Sequence, residues 1–178
     1  MKKALLIALV LFVAVVTTAC INNIAVQELN NKAAAFMQKG DYESAVNRLQ
    51  ASIDLDSSLY ETHYNLGIAA TNAKKFDIAI EAFENGIKLK PDYANFYYSL
   101  AVAQAEYAES ILEITSDRTE ISNEDKEKAE SLKFSAINNA NRYLEMIPVP
   151  EDKEVVEQLI EDLKKENVVE QHTKSLKG

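Results

Sequence analysis

Few side chains in this chain are equipped for chemistry. It has one cysteine and two histidines. Cys20 stands alone, so it cannot close an internal disulfide, and with two scattered histidines it cannot complete a tetrahedral zinc set. Its position therefore carries its meaning. His63 falls in the middle of a helical stretch, where a packing role is expected, and His172 falls in a polar tail. A Ser-His-Asp arrangement would need a strand–turn–helix context to present the serine, and none is visible. The acid pairs Asp54/Asp56 and Glu151/Asp152 are of the kind common on solvated helices. The 4 glycines do not cluster, so no loop can cradle a phosphate, and neither HExxH nor CxxC occurs. We read the chain as a non-enzyme with no metal and no cofactor.

The setting of Cys20 is distinctive. Lys2 and Lys3 begin the chain, an apolar run extends from Ala4 to Val16, and Thr17-Thr18-Ala19 lead into the cysteine. A basic start, an apolar middle and small residues at a cut site form the order of a secretory signal. The apolar run is shorter than the roughly 20 residues needed to span a bilayer core. Small residues directly before a lone cysteine resemble the lipobox of bacterial lipoproteins, although Thr17 stands where that family prefers Leu. The resemblance implies cleavage after residue 19, acylation (including palmitate-type chains) of Cys20, and a body held extracytoplasmically at the cell envelope. Two or more acyl chains anchor stably where one does not. Ile21 after the cysteine is similar to an outer-membrane sorting signal if the source is Gram-negative; otherwise the plasma membrane is implied. An uncleaved N-terminal anchor and a free secreted form remain open as alternatives.

Composition describes the elements behind this leader. Pro (3) and Gly (4) are scarce, and 47% of residues are hydrophobic, which points to one all-α domain with a packed core. The net charge is −9, and loss of Lys2 and Lys3 with the leader takes it to about −11. Such a surface repels phosphates, so nucleic acid is excluded as a partner, and a monomeric body is expected.

Two segments, 26–59 and 60–93, align without a gap at an offset of 34 residues. Tyr42 matches Phe76, Ala45 matches Ala79, Leu49 matches Phe83 and Leu55 matches Leu89. A period of this length marks a stack of helical hairpins. Small residues (Ala33, Gly67, Ala45, Ala79) let antiparallel helices approach. Large ones (Phe36, Tyr42, Leu66, Phe76, Phe83) fill the wedge between them. Gly40 supplies a turn before Asp41-Tyr42. The second repeat departs there, with Lys74-Lys75 where the first has Lys39-Gly40. Pro91 punctuates the boundary.

A third unit begins at Ala94. Tyr97, Leu100 and Ala101 take the places of His63, Leu66 and Gly67. Its end is marked by Ala136, Tyr143, Met146 and Pro148, leaving it about 23 residues longer than a standard repeat. Apolar residues at Leu100, Ala103, Tyr107, Ile111 and Ile114 predict a helix from Ala94 to about Thr115. Ser122 with Asp125 predicts a capped start for another over 123–146. Residues 94–148 thus form an extended hairpin with a polar tip at 116–124. After Pro148-Val149-Pro150, a capping unit is expected over 149–167, its helix running from Glu151 to Glu166 with Val155, Val156, Leu159, Ile160 and Leu163 as one apolar stripe. Residues 168–178 form a polar tail, and 20–25 a lipidated linker.

Asn65-Leu66-Gly67, Phe76, Ala79, Phe83 and Pro91 closely resemble the tetratricopeptide repeat. The resemblance implies a right-handed superhelical stack whose first helices line a concave, partner-binding groove. Carried over position by position, the groove would hold Gln27, Asn30, Asn31, Ala34, Met37 and Gln38 from the first repeat. The second would contribute Glu61, Tyr64, Asn65, Ile68, Thr71 and Asn72, and the third Asn95, Tyr98, Ser99, Val102, Ala105 and Glu106. In peptide-binding members an asparagine at the place of Asn31 and Asn65 grips a ligand backbone, since an amide both donates and accepts. Tyr64 and Tyr98 would be anchors or, alternatively, would pack between helices. None of these positions is Lys or Arg, so an acidic peptide tail is not the expected ligand. The implied function is an envelope scaffold binding a protein or peptide segment; a chaperone-like adaptor and a small-ligand-binding lipoprotein are the alternatives.

Overall fold

The computed structural model describes the backbone of residues 23–116, 121–147 and 151–175, with side chains for 23–113, 121–147 and 151–165. Cys20 and its leader, most of the polar tip, Pro148-Val149-Pro150 and residues 176–178 lie outside the described residues. Among those described there are seven helices and no strand: α1 (23–38), α2 (Tyr42–Leu55), α3 (Tyr60–Asn72), α4 (Phe76–Leu89), α5 (Ala94–Ser116), α6 (Asn123–Met146) and α7 (Lys153–Ser175). The fold is all-α. No described helix is long and apolar enough to cross a membrane.

Each helix begins where local chemistry allows it. Asp41 caps α2, its carboxylate accepting the Ser44 amide at 3.1 Å. Ser122 caps α6, accepting from the Asp125 amide at 3.0 Å while its hydroxyl donates to the Asp125 carboxylate at 2.7 Å. Both bonds satisfy donors that a helix start would otherwise leave open. α6 accordingly spans the predicted range.

The turns α1–α2 and α3–α4 are the same structure built from different residues. The Gly40 amide reaches Met37 O at 3.0 Å, and the Asp41 amide reaches Phe36 O at 3.0 Å. One repeat later the Lys74 amide reaches Thr71 O at 2.9 Å, and the Lys75 amide reaches Ala70 O at 2.8 Å. Gly40 has φ +74° and Lys74 has φ +56°. The structural counterpart of Gly40 is therefore Lys74 alone, which corrects the pairing of Lys39-Gly40 with Lys74-Lys75. Lysine here accepts the left-handed conformation that glycine adopts without cost.

Successive helices joined by short turns alternate in direction, so α1, α3, α5 and α7 run one way and α2, α4 and α6 the other. Small residues set the spacing. Ala33, Gly67 and Ala101, at one repeat position, are all buried. At Gly67 a Cβ would overlap the Phe83 ring, and at Gly86 it would overlap the Phe96 ring. Phe83 and Phe96 are fully buried, each burial contributing about 1.5–3 kcal/mol. They belong to an aromatic cluster with Tyr60, Tyr64 and Tyr93 at the joint between the second and third hairpins. Its closest ring pairs, Tyr64–Phe96 and Tyr93–Phe96, are edge-on at 5.4 Å, the geometry that ring quadrupoles favour.

The third hairpin rises past its neighbours. Tyr107 in its extension stacks on Phe76 at 5.3 Å. Its hydroxyl donates to Asp77 at 3.3 Å and accepts from Lys128 Nζ at 2.6 Å. The bond to Tyr107 and the nearby Asp77 and Asp125 charges raise the Lys128 pKa.

Three boundaries differ from expectation. α1 starts at 23, inside the segment read as linker, and Val26 is already buried. α7 starts at Lys153, and its backbone stays helical to Ser175, through most of the stretch read as a polar tail. Neither Gly nor Pro interrupts the sequence from 151 to 175, so the helix can continue. The apolar stripe of α7 also divides: Val156, Ile160 and Leu163 are buried, Leu159 is half-buried, and Val155 is 60% exposed.

Candidate concave groove

Two adjoining clefts lie on the face formed by α3, α5 and α7. The first, about 210 Å³, is lined by Ile68, Thr71, Asn72, Tyr98, Ser99, Val102 and Glu106. The second, about 380 Å³, is lined by Val102, Ala105, Glu106, Glu109, Leu159, Asp162 and Leu163. Val102 and Glu106 border both, so the clefts form one groove.

Helix periodicity explains the lining. Ile68 and Asn72 lie one turn apart on α3; Tyr98, Val102, Glu106 and Glu109 recur every three or four residues on α5; Leu159 and Asp162 do so on α7. Tyr98 is held by the ring of Tyr143 at 5.4 Å. Thr71 and Asn72 turn their side chains onto their own helix, donating to Gly67 O and Ile68 O, each at 2.9 Å.

Of the sequence-predicted groove residues, Ile68, Thr71, Asn72, Tyr98 and Val102 line these clefts, as do Ser99, Ala105 and Glu106. The others lie elsewhere. Asn30 is turned into the joint between the first two hairpins, donating to Thr62 Oγ1 at 3.0 Å. Met37 packs against the core. Gln27 bonds Asn23 at 3.0 Å, one turn back on α1. Tyr64 joins the aromatic cluster, its hydroxyl accepting from Ser99 at 3.4 Å. Glu61 stands exposed beside Tyr60, whose pKa it raises. Asn95 donates to the Tyr93 hydroxyl at 3.3 Å. Asn31 and Asn65 are exposed and line neither cleft, although Asn65 lies two turns from Asn72 on the same stripe of α3.

Sequence reasoning missed Glu109, Leu159, Asp162 and Leu163. Leu159 and Leu163 were read only as part of the capping stripe of α7, because the repeat alignment ends before that helix.

Polarity varies along the groove. Toward the start of α5 and α7 it is lined by Tyr98, Val102 and Leu159, and farther on acids take their place. 

The acids are Glu106 and Glu109 on α5 and Asp162 on α7, and none of the described lining residues is Lys or Arg. Desolvation raises the Glu106 pKa, the neighbouring Glu109 charge raises it further, and Lys74 partly offsets both. Asp162 accepts from Gln158 at 2.7 Å and has Lys165 Nζ at 3.9 Å.

Three of the residues considered for chemistry, His63, Asp56 and Asp152, have structural partners, and the His172 side chain lies outside the described residues. His63 is buried, its Nε2 donating to Ser57 O at 2.9 Å across the α2–α3 turn. Asp56 accepts the Ser58 hydroxyl and amide at 2.6 and 2.9 Å, and these bonds lower its pKa. Asp152 accepts the Tyr143 hydroxyl at 2.7 Å.

Paired helices stacked in series, with one face open along alternate helices, define a helical-repeat protein. A tetratricopeptide-repeat family model matches residues 60–93, and a second TPR repeat model matches residues 33–70. Residues 33–93 thus match tetratricopeptide-repeat models. It is 26% identical over 90 residues to the small glutamine-rich tetratricopeptide repeat-containing protein 2 of Mycosarcoma maydis, an alignment covering 51% of this chain but only 26% of that protein. The TPR2B domain of yeast Sti1, solved in a pHsp70 complex, superimposes with a TM-score of 0.61 at 15% identity, over 80% of this chain and 98% of that one. The Yersinia enterocolitica type III secretion chaperone SycD, solved with a peptide of the translocator YopD, gives 0.52 at 24% identity, over 79% and 93%. These likenesses establish the fold.

Proposed function

We propose that this chain is a non-catalytic scaffold that binds a peptide segment or helix of a partner protein in the groove across α3, α5 and α7. The observation that carries the reading is the continuity of the two clefts through Val102 and Glu106. An extended or helical segment needs such a continuous surface, whereas a small ligand needs an enclosing pocket. Structures of similar fold that hold peptides, the yeast Sti1 and SycD complexes, support it. The lipobox-like residues before Cys20 extend the proposal to a lipid-anchored protein of the cell envelope whose partner is an envelope protein. A chaperone-like adaptor for a secreted chain is the second reading, favoured by the SycD likeness.

A photoreactive residue at Val102, with a control at the exposed Glu81 of α4, tests the site in intact cells. Crosslinking of a protein from position 102 and not from 81 is expected. Equal yields at both positions, or none at 102, would overturn the groove. One stoichiometric adduct marks a scaffold, and a heterogeneous set marks the adaptor.

A further inference from the structure

The groove has two bands of opposite character. α5 and α7 run in the same direction, so equivalent turns lie side by side. Their earlier turns present Tyr98 and Val102 on α5 and Leu159 on α7. The next turns present Glu106, Glu109 and Asp162. A segment crossing these helices therefore meets apolar surface along one edge and carboxylates along the other.

Resting on the groove reading, we infer that the occupant is a basic amphipathic segment, its apolar side on Val102 and Leu159 and a Lys or Arg between Glu106 and Asp162. Charge complementarity selects this occupant over an acidic or neutral one. An acidic segment would place carboxylates against carboxylates. A wholly apolar one would strip water from Glu106 without supplying a partner. Glu109 from α5, Lys74 from the α3–α4 turn, and Asp162 with its neighbour Lys165 from α7 are the charges around Glu106. Lys74 offsets only part of the effect of desolvation and of Glu109 on Glu106, and no Lys or Arg lines the cleft beside it.

The test uses the chain with a fluorescent helical peptide made of leucine and lysine, leucines on one face, and its leucine–glutamate counterpart. The lysine peptide is expected to bind, to crosslink from a photoreactive residue at Val102, and to outcompete the glutamate peptide at least about tenfold. The double variant Glu106→Gln/Asp162→Asn should weaken it by about tenfold, the order expected for a lost charge-assisted contact. The double variant Glu81→Gln/Glu84→Gln on the opposite, exposed face of α4 should not. Equal weakening by both pairs would mean diffuse attraction to an acidic protein and would overturn the proposal. Crosslinking retained at Val102 with affinity indifferent to Glu106 and Asp162 would leave the groove standing and remove the charge selection. Absence of binding, or binding without crosslinking at Val102, would remove both. Circular dichroism of each variant reports folding independently.

Discussion

The ring of Phe83 lies against the backbone of Gly67, in the space that a side chain would occupy. Phe83 is fully buried and has no room to withdraw. Gly67→Ala gains about 1 kcal/mol of helix propensity but overfills a packed site, which costs about 1–3 kcal/mol. We expect a net loss of stability in urea unfolding. The first repeat holds Ala33 and Leu49 at the matching positions, so Phe83→Leu should recover part of the loss caused by Gly67→Ala. A double-mutant cycle measures that coupling, and strict additivity would refute it.

Lys74 carries the left-handed turn that Gly40 carries one repeat earlier. Lys74→Gly should stabilise the chain by about 0.5–1 kcal/mol, the left-handed penalty less the added chain entropy. The thermal midpoint should rise by about 2–4 °C. A fall in midpoint would mean that the Lys74 charge outweighs its conformation.

Glu106 should make stability depend on pH in a direction opposite to a salt-bridged acid. Its folded pKa is raised, chiefly by desolvation. It therefore favours the fold below the ordinary carboxylate range, and that contribution is lost as pH rises through the raised value. Glu106→Gln should stabilise the protein at neutral pH, and the gain should vanish in acid. Urea midpoints of both proteins across this range check the sign. Loss of peptide binding in a variant that is more stable cannot be attributed to unfolding.

Tyr143 ties α6 to the start of α7 through Asp152, and burial with that bond raises its pKa to about 12. The tie is complete below the ordinary tyrosine range and should be lost as pH rises from about 10 through 12. Tyr143→Phe should cost about 1 kcal/mol at neutral pH and flatten this alkaline decline. Hydrogen exchange should quicken in α7 before the other helices. Uniform exchange would place the tie elsewhere.

Cys20→Ser tests the anchor in cells. The expected result is release of the body from the membrane fraction, or accumulation of a larger, uncleaved precursor. An unchanged size and unchanged membrane fraction would instead support an uncleaved N-terminal anchor.

The fold was largely legible because its determinants are local or repeat at one offset. Asp41, Ser122 and Asp125 announce helix starts through bonds made within four residues. Ala33, Gly67 and Ala101 recur because helices approach closely at one level of each hairpin. The groove was less legible because its lining depends on how far each helix is rolled. Asn30 and Asn31 are neighbours in sequence, but a roll of about 100° between them sends Asn30 to Thr62 and leaves Asn31 exposed. The contribution of α7 was hidden for a similar reason. Val155 and Val156 look alike in a stripe, and only the packing of α6 against α7 decides which one is buried. Repeat alignment stops before α7, so family positions could not supply Leu159 or Asp162.

The joints between hairpins are unequal. Five interlocked rings fill the joint between the second and third, and the Asp77–Tyr107–Lys128 chain bolts the same two units together farther out. Between the first and second, Val46, Leu49 and Leu66 share one aliphatic core, Glu43 pairs with Lys75, and the Asn30–Thr62 bond spans the joint with the Asn30 carbonyl oxygen unmatched. In a linear array each unit is held only by its neighbours. Each hairpin is therefore held by a seam with a chemistry of its own, aliphatic and ionic at the first and aromatic at the second.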